Sequence, residues 1–140
     1  MIYKTFLDTN LWIYALIDFG QKDKQKIAKQ IISSEENEIY LTTQVVNEIS
    51  FQVLKNNINL EEEITDIIHS FYDKYIVINM SKPILLLASQ VRAKYSFSFW
   101  DSQIIASALH AECSILYCDF VAKTMSLPEA NGLKLVNPFY

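Results

Sequence analysis

The chain has 140 residues, 51% hydrophobic and 20% charged, with twelve Lys plus Arg against sixteen Asp plus Glu for a formal charge of -4. A chain of that length buries roughly 68% of its unfolded surface, which predicts one compact domain over residues 1–140 and excludes disorder as an overall description. The negative balance excludes a broad basic surface that wraps nucleic acid by neutralising phosphates, so any nucleic-acid contact must be local.

The first strand is predicted over Ile2 to Leu7, followed by a helical stretch from Leu11 to Asp18 that ends near Gly20. Lys22 to Ser33 repeats Ile27, Ala28, Ile31 and Ile32 at helical spacing, with Lys22, Lys24, Lys26 and Lys29 as its solvated face. A second strand fits Ile39 to Leu41. Thr42 or Thr43 then caps a helix whose apolar stripe is Val45, Val46, Ile49 and Val53, with Glu48 at its shoulder. Leu60 to Tyr72 reads as the next helix, capped by Asn59, and Tyr75 to Ile78 as a third short strand. Ser81, Lys82 and Pro83 open a helix through about Lys94, since proline is tolerated in a first turn. Ser98 to Ala111 is the most regular helix, with Asp101 in its first turn. Strands at Ile115 to Cys118 and Leu133 to Val136 complete the chain before Asn137 and Pro138. This alternation predicts an α/β fold built of βαβ units around a parallel sheet.

Much chemistry is excluded by what is missing. With Gly20 and Gly132 as the only glycines, no phosphate-binding glycine loop and no GxSxG nucleophile elbow can form. His69 and His110 have no Cys or His at ligand spacing, so no zinc pattern exists. Cys113 and Cys118 read as core thiols of a reducing compartment. The opening MIYKTFLDTNLWIYALIDF carries Asp8 and Asn10 inside its apolar run. It matches neither a signal peptide nor a spanning helix, and the expectation is a cytoplasmic protein with no membrane partner.

Four acids remain: Asp8 in FLDTN, Glu48 in VVNEIS, Asp101 in FWDSQIIASA and Asp119 in ILYCDF. Each lies in or beside an apolar stretch, where an ionised carboxylate needs a partner. In an open parallel sheet, ligands bind outside the carboxyl ends of the strands. Asp8 and Asp119 end predicted strands, Asp101 opens a helix entering that edge, and Glu48 comes from a neighbouring helix. Oxygen ligands without imidazole or thiolate suit Mg²⁺ or Mn²⁺, held by a few carboxylates plus substrate phosphates. A metal pair roughly 4 Å apart could serve in-line displacement at a phosphodiester. Each acid also has a plainer reading, as a helix cap, a partner of the helix dipole or a solvent-boundary residue. Asn10 and Thr9 could orient Asp8 or a metal-bound water, or could cap the helix. Trp12, Tyr14, Phe97, Phe99 and Trp100 could stack on unpaired bases or simply pack.

With these segments in view, FLDTNLWIYA, VVNEIS, WDSQIIASAL and the ending GLKLVNPF together resemble a PIN-domain nuclease, and more narrowly a VapC-type toxin of a type II toxin-antitoxin system. The resemblance covers nearly the whole chain. It implies a three-layer α/β/α PIN-like domain with a central parallel sheet of about four to five strands. It also implies a Mg²⁺- or Mn²⁺-dependent endoribonuclease, a hydrolase of RNA phosphodiesters. Its metal-binding acids would be Asp8, Glu48 and Asp101, with Asp119 as the fourth and Thr9 and Asn10 in support. The position of Asp119 departs from the family pattern, because Cys118 and Phe120 flank it where relatives carry Thr or Ser before and a further acid beyond. The partners implied are an RNA substrate, a small cognate antitoxin protein covering the acidic cleft, and a second copy in a homodimer. Two other classes stay open. A haloacid-dehalogenase-type phosphatase would need a second Asp where this chain has Asn10, and a non-catalytic PIN-like interaction module would need no metal.

Overall fold

The alternation of short apolar runs with helical stretches produces the expected order of elements in the computed structural model, which describes residues 1–56, 61–127 and 132–140. In chain order these are β1 (Tyr3–Leu7), α1 (Thr9–Leu16), α2 (Lys22–Ser33), β2 (Asn37–Thr42), α3 (Thr43–Asn56), α4 (Glu61–Lys74), β3 (Ile76–Ile78), α5 (Lys82–Tyr95), α6 (Phe99–His110), β4 (Ile115–Tyr117), β5 (Thr124–Leu127) and β6 (Leu133–Val136). Asn59 and Leu60, expected to cap and open the fourth helix, lie outside the described residues.

The strands form one sheet in the order β3-β2-β1-β4-β6-β5. All neighbours run parallel except β5, which turns back against β6 with Thr124 opposite Val136 and Leu127 opposite Leu133. The sheet therefore has one strand beyond the four to five expected. TMSL is short and half polar, so its strand character comes from pairing with β6 and not from an apolar run.

Phe6 and Leu7 are consecutive and fully buried, and Ile39 through Thr42 are buried without a break. Successive strand side chains point to opposite faces, so unbroken burial means that helices cover both faces of the sheet. This gives the three α/β/α layers. Trp12 extends the core between α1 and α4, its ring 5.0 Å from those of Phe71 and Tyr75. Among the described residues, no helix is long and apolar enough to cross a membrane.

The starts of α3 and α6 are pinned by side-chain oxygens. At α3, the Val45 N–H donates to Thr42 Oγ1 at 3.2 Å, so Thr42 rather than Thr43 is the cap. At α6, the Asp101 N–H donates to Ser98 Oγ at 3.1 Å. The same turn is tied down again: Arg92 Nη1 of α5 donates to Ser102 Oγ at 2.9 Å, and that hydroxyl donates to the Phe99 carbonyl at 2.7 Å.

Because Thr42 is fully buried, Thr42→Val keeps the shape and leaves the Val45 N–H without its cap. The expected cost is about 1 kcal/mol, a fall of roughly 3 °C in melting temperature at this size. Circular dichroism melts measure it, and an unchanged midpoint would mean that the cap contributes nothing.

Candidate active site

The strand order places β2 on one side of β1 and β4 on the other, so the chain reverses direction of growth at β1. Where helices after adjacent strands diverge to opposite sides, a crevice opens outside the carboxyl ends. Asp8 follows β1 directly, and Asp119 stands two residues beyond β4. The two strand ends are fastened together, since the Asp8 N–H donates to the Tyr117 carbonyl at 3.0 Å.

A cavity of about 770 Å³ lies at this edge, and its lining includes Asp8, Thr9, Asn10, Glu48, Asp101 and Asp119. All six residues singled out from the sequence thus meet in one place. Asp8 is the most buried of the four acids, only 7% exposed, and its Oδ1 accepts from the Thr9 N–H at 2.7 Å. It is also the N-cap of α1, with extended backbone at φ -63° and ψ 157°, which starts the helix at Thr9 and not at Leu11. The capping role and the cavity role belong to the same side chain.

The Thr9 N–H thus serves Asp8 as expected, whereas the side chains of the two supporting residues act on other acids. Thr9 Oγ1 donates to Glu48 Oε2 at 2.9 Å, linking α1 to α3. Asn10 Nδ2 reaches Asp119 instead of Asp8, at 3.0 Å to Oδ2 and 3.3 Å to Oδ1. Gln44, one turn before Glu48 on α3, donates from Nε2 to Glu48 Oε1 at 3.1 Å. Gln44 was missed in the sequence, although its i, i+4 spacing to Glu48 was a usable signal. Glu48 therefore has both oxygens held by neutral donors, and Asp119 has both facing one amide.

Among the described residues, no basic side chain lines this cavity. Burial, reinforced by the charges of Asp119, Asp101 and Glu48 and opposed by the Thr9 N–H, pushes the Asp8 carboxyl from its ordinary 3.8 up to about 7. Burial also raises Asp101, with Asp119 adding to the rise and the Ser98 hydroxyl opposing it. Cys118 packs behind Asp8 as a buried thiol pushed up to about 12, first by burial and then by Asp8, which makes it an inert core residue.

The donors lining the cavity fit a hard divalent cation: carboxylate, hydroxyl and amide oxygens, with no imidazole or thiol among the described residues there. Among the described residues, no three His, Cys, Asp or Glu side chains form a ready-made metal cage. A cation that keeps several waters and takes one or two carboxylates directly needs no such cage.

The sequence matches the PIN domain family model over residues 5–125. No curated protein matches it. Among solved structures, it is similar to a toxin-antitoxin complex from Klebsiella pneumoniae, at 19% identity and a TM-score of 0.66 over 96% of this chain and 98% of that one. It is also similar to VapC20 of Mycobacterium tuberculosis, a sarcin-ricin loop cleaving toxin, at 14% identity and a TM-score of 0.64 over 83% and 89%. VapBC2 of Rickettsia felis, bound to a DNA fragment from its promoter, gives 19% identity and a TM-score of 0.58 over 84% and 86%. At these identities the likeness is one of fold.

A carboxyl whose folded pKa lies above its unfolded value stabilises the fold at low pH and loses that contribution as pH rises towards the folded pKa. For Asp8 the window runs from 3.8 to about 7. Without metal, Asp8→Asn should therefore melt higher than the parent at pH 8, by roughly 10 °C, and the gap should narrow as pH falls below about 7 and close only near 3.8. A gap independent of pH would mean that burial and its neighbours' charge do not raise Asp8.

Proposed function

We propose that this chain, which belongs to the PIN domain family, is a divalent-metal-dependent endoribonuclease and the toxin of a toxin-antitoxin pair. The observation that carries this reading is the convergence of Asp8, Glu48, Asp101 and Asp119 on one cavity at the switch point of the sheet, with no basic side chain among the described lining residues. The toxin role is supported by the likeness to VapC20, described as a sarcin-ricin loop cleaving toxin, and to toxin-antitoxin complexes.

In this reading Asp8, Glu48 and Asp101 would supply the carboxylate ligands, with Glu48 oriented by Thr9 and Gln44 and Asp119, held by Asn10, as the fourth acid. Asp119 would act on the ion directly or through water. Mg²⁺ or Mn²⁺ bound there would offset the negative lining, activate water and stabilise the charge that develops on the phosphodiester. Thr9 holds Glu48, and Asn10 holds Asp119, so that neither swings away when the cavity fills. The reaction adds water across a phosphorus–oxygen ester bond, leaving a phosphate on one fragment and a hydroxyl on the other.

The partners proposed are RNA, a small antitoxin protein and a second copy of the chain. Leu85 and Leu86, about half exposed at 50% and 56% on α5, support the homodimer by giving that helix an apolar outer face. A substrate and an antitoxin of these kinds imply work in the cytoplasm. A haloacid-dehalogenase-type phosphatase gains no support, because Asn10 stands where the second acid is needed and is spent on Asp119.

Purified protein should cleave RNA with added Mg²⁺ or Mn²⁺, and Asp8→Asn should abolish cleavage while leaving the fold intact. Undiminished cleavage in excess EDTA, or full activity of the variant, would overturn the reading. Thr9→Val releases Oε2 of Glu48, leaving Gln44 on Oε1, without removing a carboxylate, and the expected loss is roughly 10- to 100-fold, on the order typical of groups that orient metal ligands. Activity titrated against metal concentration measures it, and a variant as active as the parent at every concentration would remove Thr9 from the machinery.

A further inference from the structure

The aromatic residues that the sequence offered for base stacking divide sharply in the folded chain. Trp12 is 1% exposed and belongs to the core, and Tyr14 and Phe97 pack against it. Trp100 is 61% exposed, lines the acidic cavity and is the chain neighbour of Asp101. An indole left so open beside carboxylates is not explained by packing of this chain.

The position of Trp100 is stiff. Its ring meets Phe99 edge to face at 5.0 Å, and the Arg92 guanidinium sits 4.5 Å from the Phe99 ring centre. The same Arg92 ties down Ser102, and Ser98 caps the turn through the Asp101 N–H. Trp100 and Asp101 thus ride on one braced helical turn. The cavity has a second exposed aromatic, since Phe51, 62% exposed on α3, lines it as well.

On these grounds we infer that Trp100 is a positioning residue that stacks an unpaired base of the RNA, setting the adjoining phosphodiester over the acids. This rests on the ribonuclease reading and deepens it by adding, outside the four acids, a residue that holds the substrate. A cleft without basic lining cannot draw in RNA by phosphate neutralisation, whereas stacking on an aromatic face requires no positive charge. Bases in a duplex are already stacked on each other and offer no free face to the indole. The braced turn means that little order is lost when the base arrives.

The test uses the full chain and a short adenine-rich RNA strand, free or annealed to its complement. In the Asp8→Asn protein, which binds without cutting, the free strand should quench tryptophan fluorescence and the duplex should do so far less. Trp100→Ala should remove the quench, since only buried Trp12 remains. In the parent background Trp100→Ala should raise KM about tenfold while kcat moves much less, and Trp100→Phe should restore most of the affinity. Equal quenching by duplex and free strand, or an unchanged KM in Trp100→Ala, would overturn the inference. So would a variant altered in self-association or antitoxin retention but not in RNA affinity. Quenching by the free strand without cleavage of any RNA by the parent would support the stacking role and defeat the nuclease reading alone.

Discussion

The repulsion among four carboxylates at one edge of the sheet is the constraint around which this molecule is arranged. Charges of one sign crowd together only if something other than their mutual interaction holds them, and no basic side chain is among the described residues of the cavity wall. Here the holding is done by neutral donors and by the backbone. Asp8 is fixed by the Thr9 N–H, Glu48 by Thr9 and Gln44, Asp119 by Asn10, and Asp101 by the cap that Ser98 places on its own amide. Hydrogen bonds to charged groups contribute roughly 1.5–3 kcal/mol each, enough to keep each side chain in place but not to neutralise it. The unmatched charge is what a divalent cation would answer.

That arrangement is possible because the surrounding fold is stiff. β1 and β2 are buried on both faces, so the carboxyl ends of the strands cannot retreat from one another without opening the core. The Asp8 N–H on the Tyr117 carbonyl fastens two strand ends where the strand order reverses. Burial first, and the gathered charge after it, therefore raise the pKa of Asp8. Stability given up at neutral pH by the metal-free protein is the physical counterpart of affinity for metal.

The same charge balance governs what enters the cavity. A chain with a formal charge of -4 and an acidic cleft does not attract RNA from afar as a basic nuclease does. On the proposed reading, recognition would depend on contacts made after arrival: a cation answering the phosphate, and an exposed indole on the braced first turn of α6 answering a base. Arg92 takes part through Phe99 and Ser102, so its positive charge is spent as a structural brace for that turn.

Local pattern in the sequence was sufficient for the alternation of strands and helices, the parallel βαβ plan, the bounds of α2 and β6, and the six residues that meet at the cavity. These depend on short-range physics: apolar period, capping chemistry and the rule that ligands gather at carboxyl ends of parallel strands. Strand β5 was not legible, because TMSL becomes a strand only by pairing with β6. Nor was the pairing of supporting side chains, where Asn10 chooses Asp119 across 109 residues and Thr9 chooses Glu48 across 39. The fates of Trp12 and Trp100 were equally hidden, since both are tryptophans beside apolar neighbours and only packing decides which is covered. Residue types and local spacing determined which groups were available for chemistry, and the tertiary structure alone decided their partners and exposure, because both depend on contacts between segments far apart in the chain.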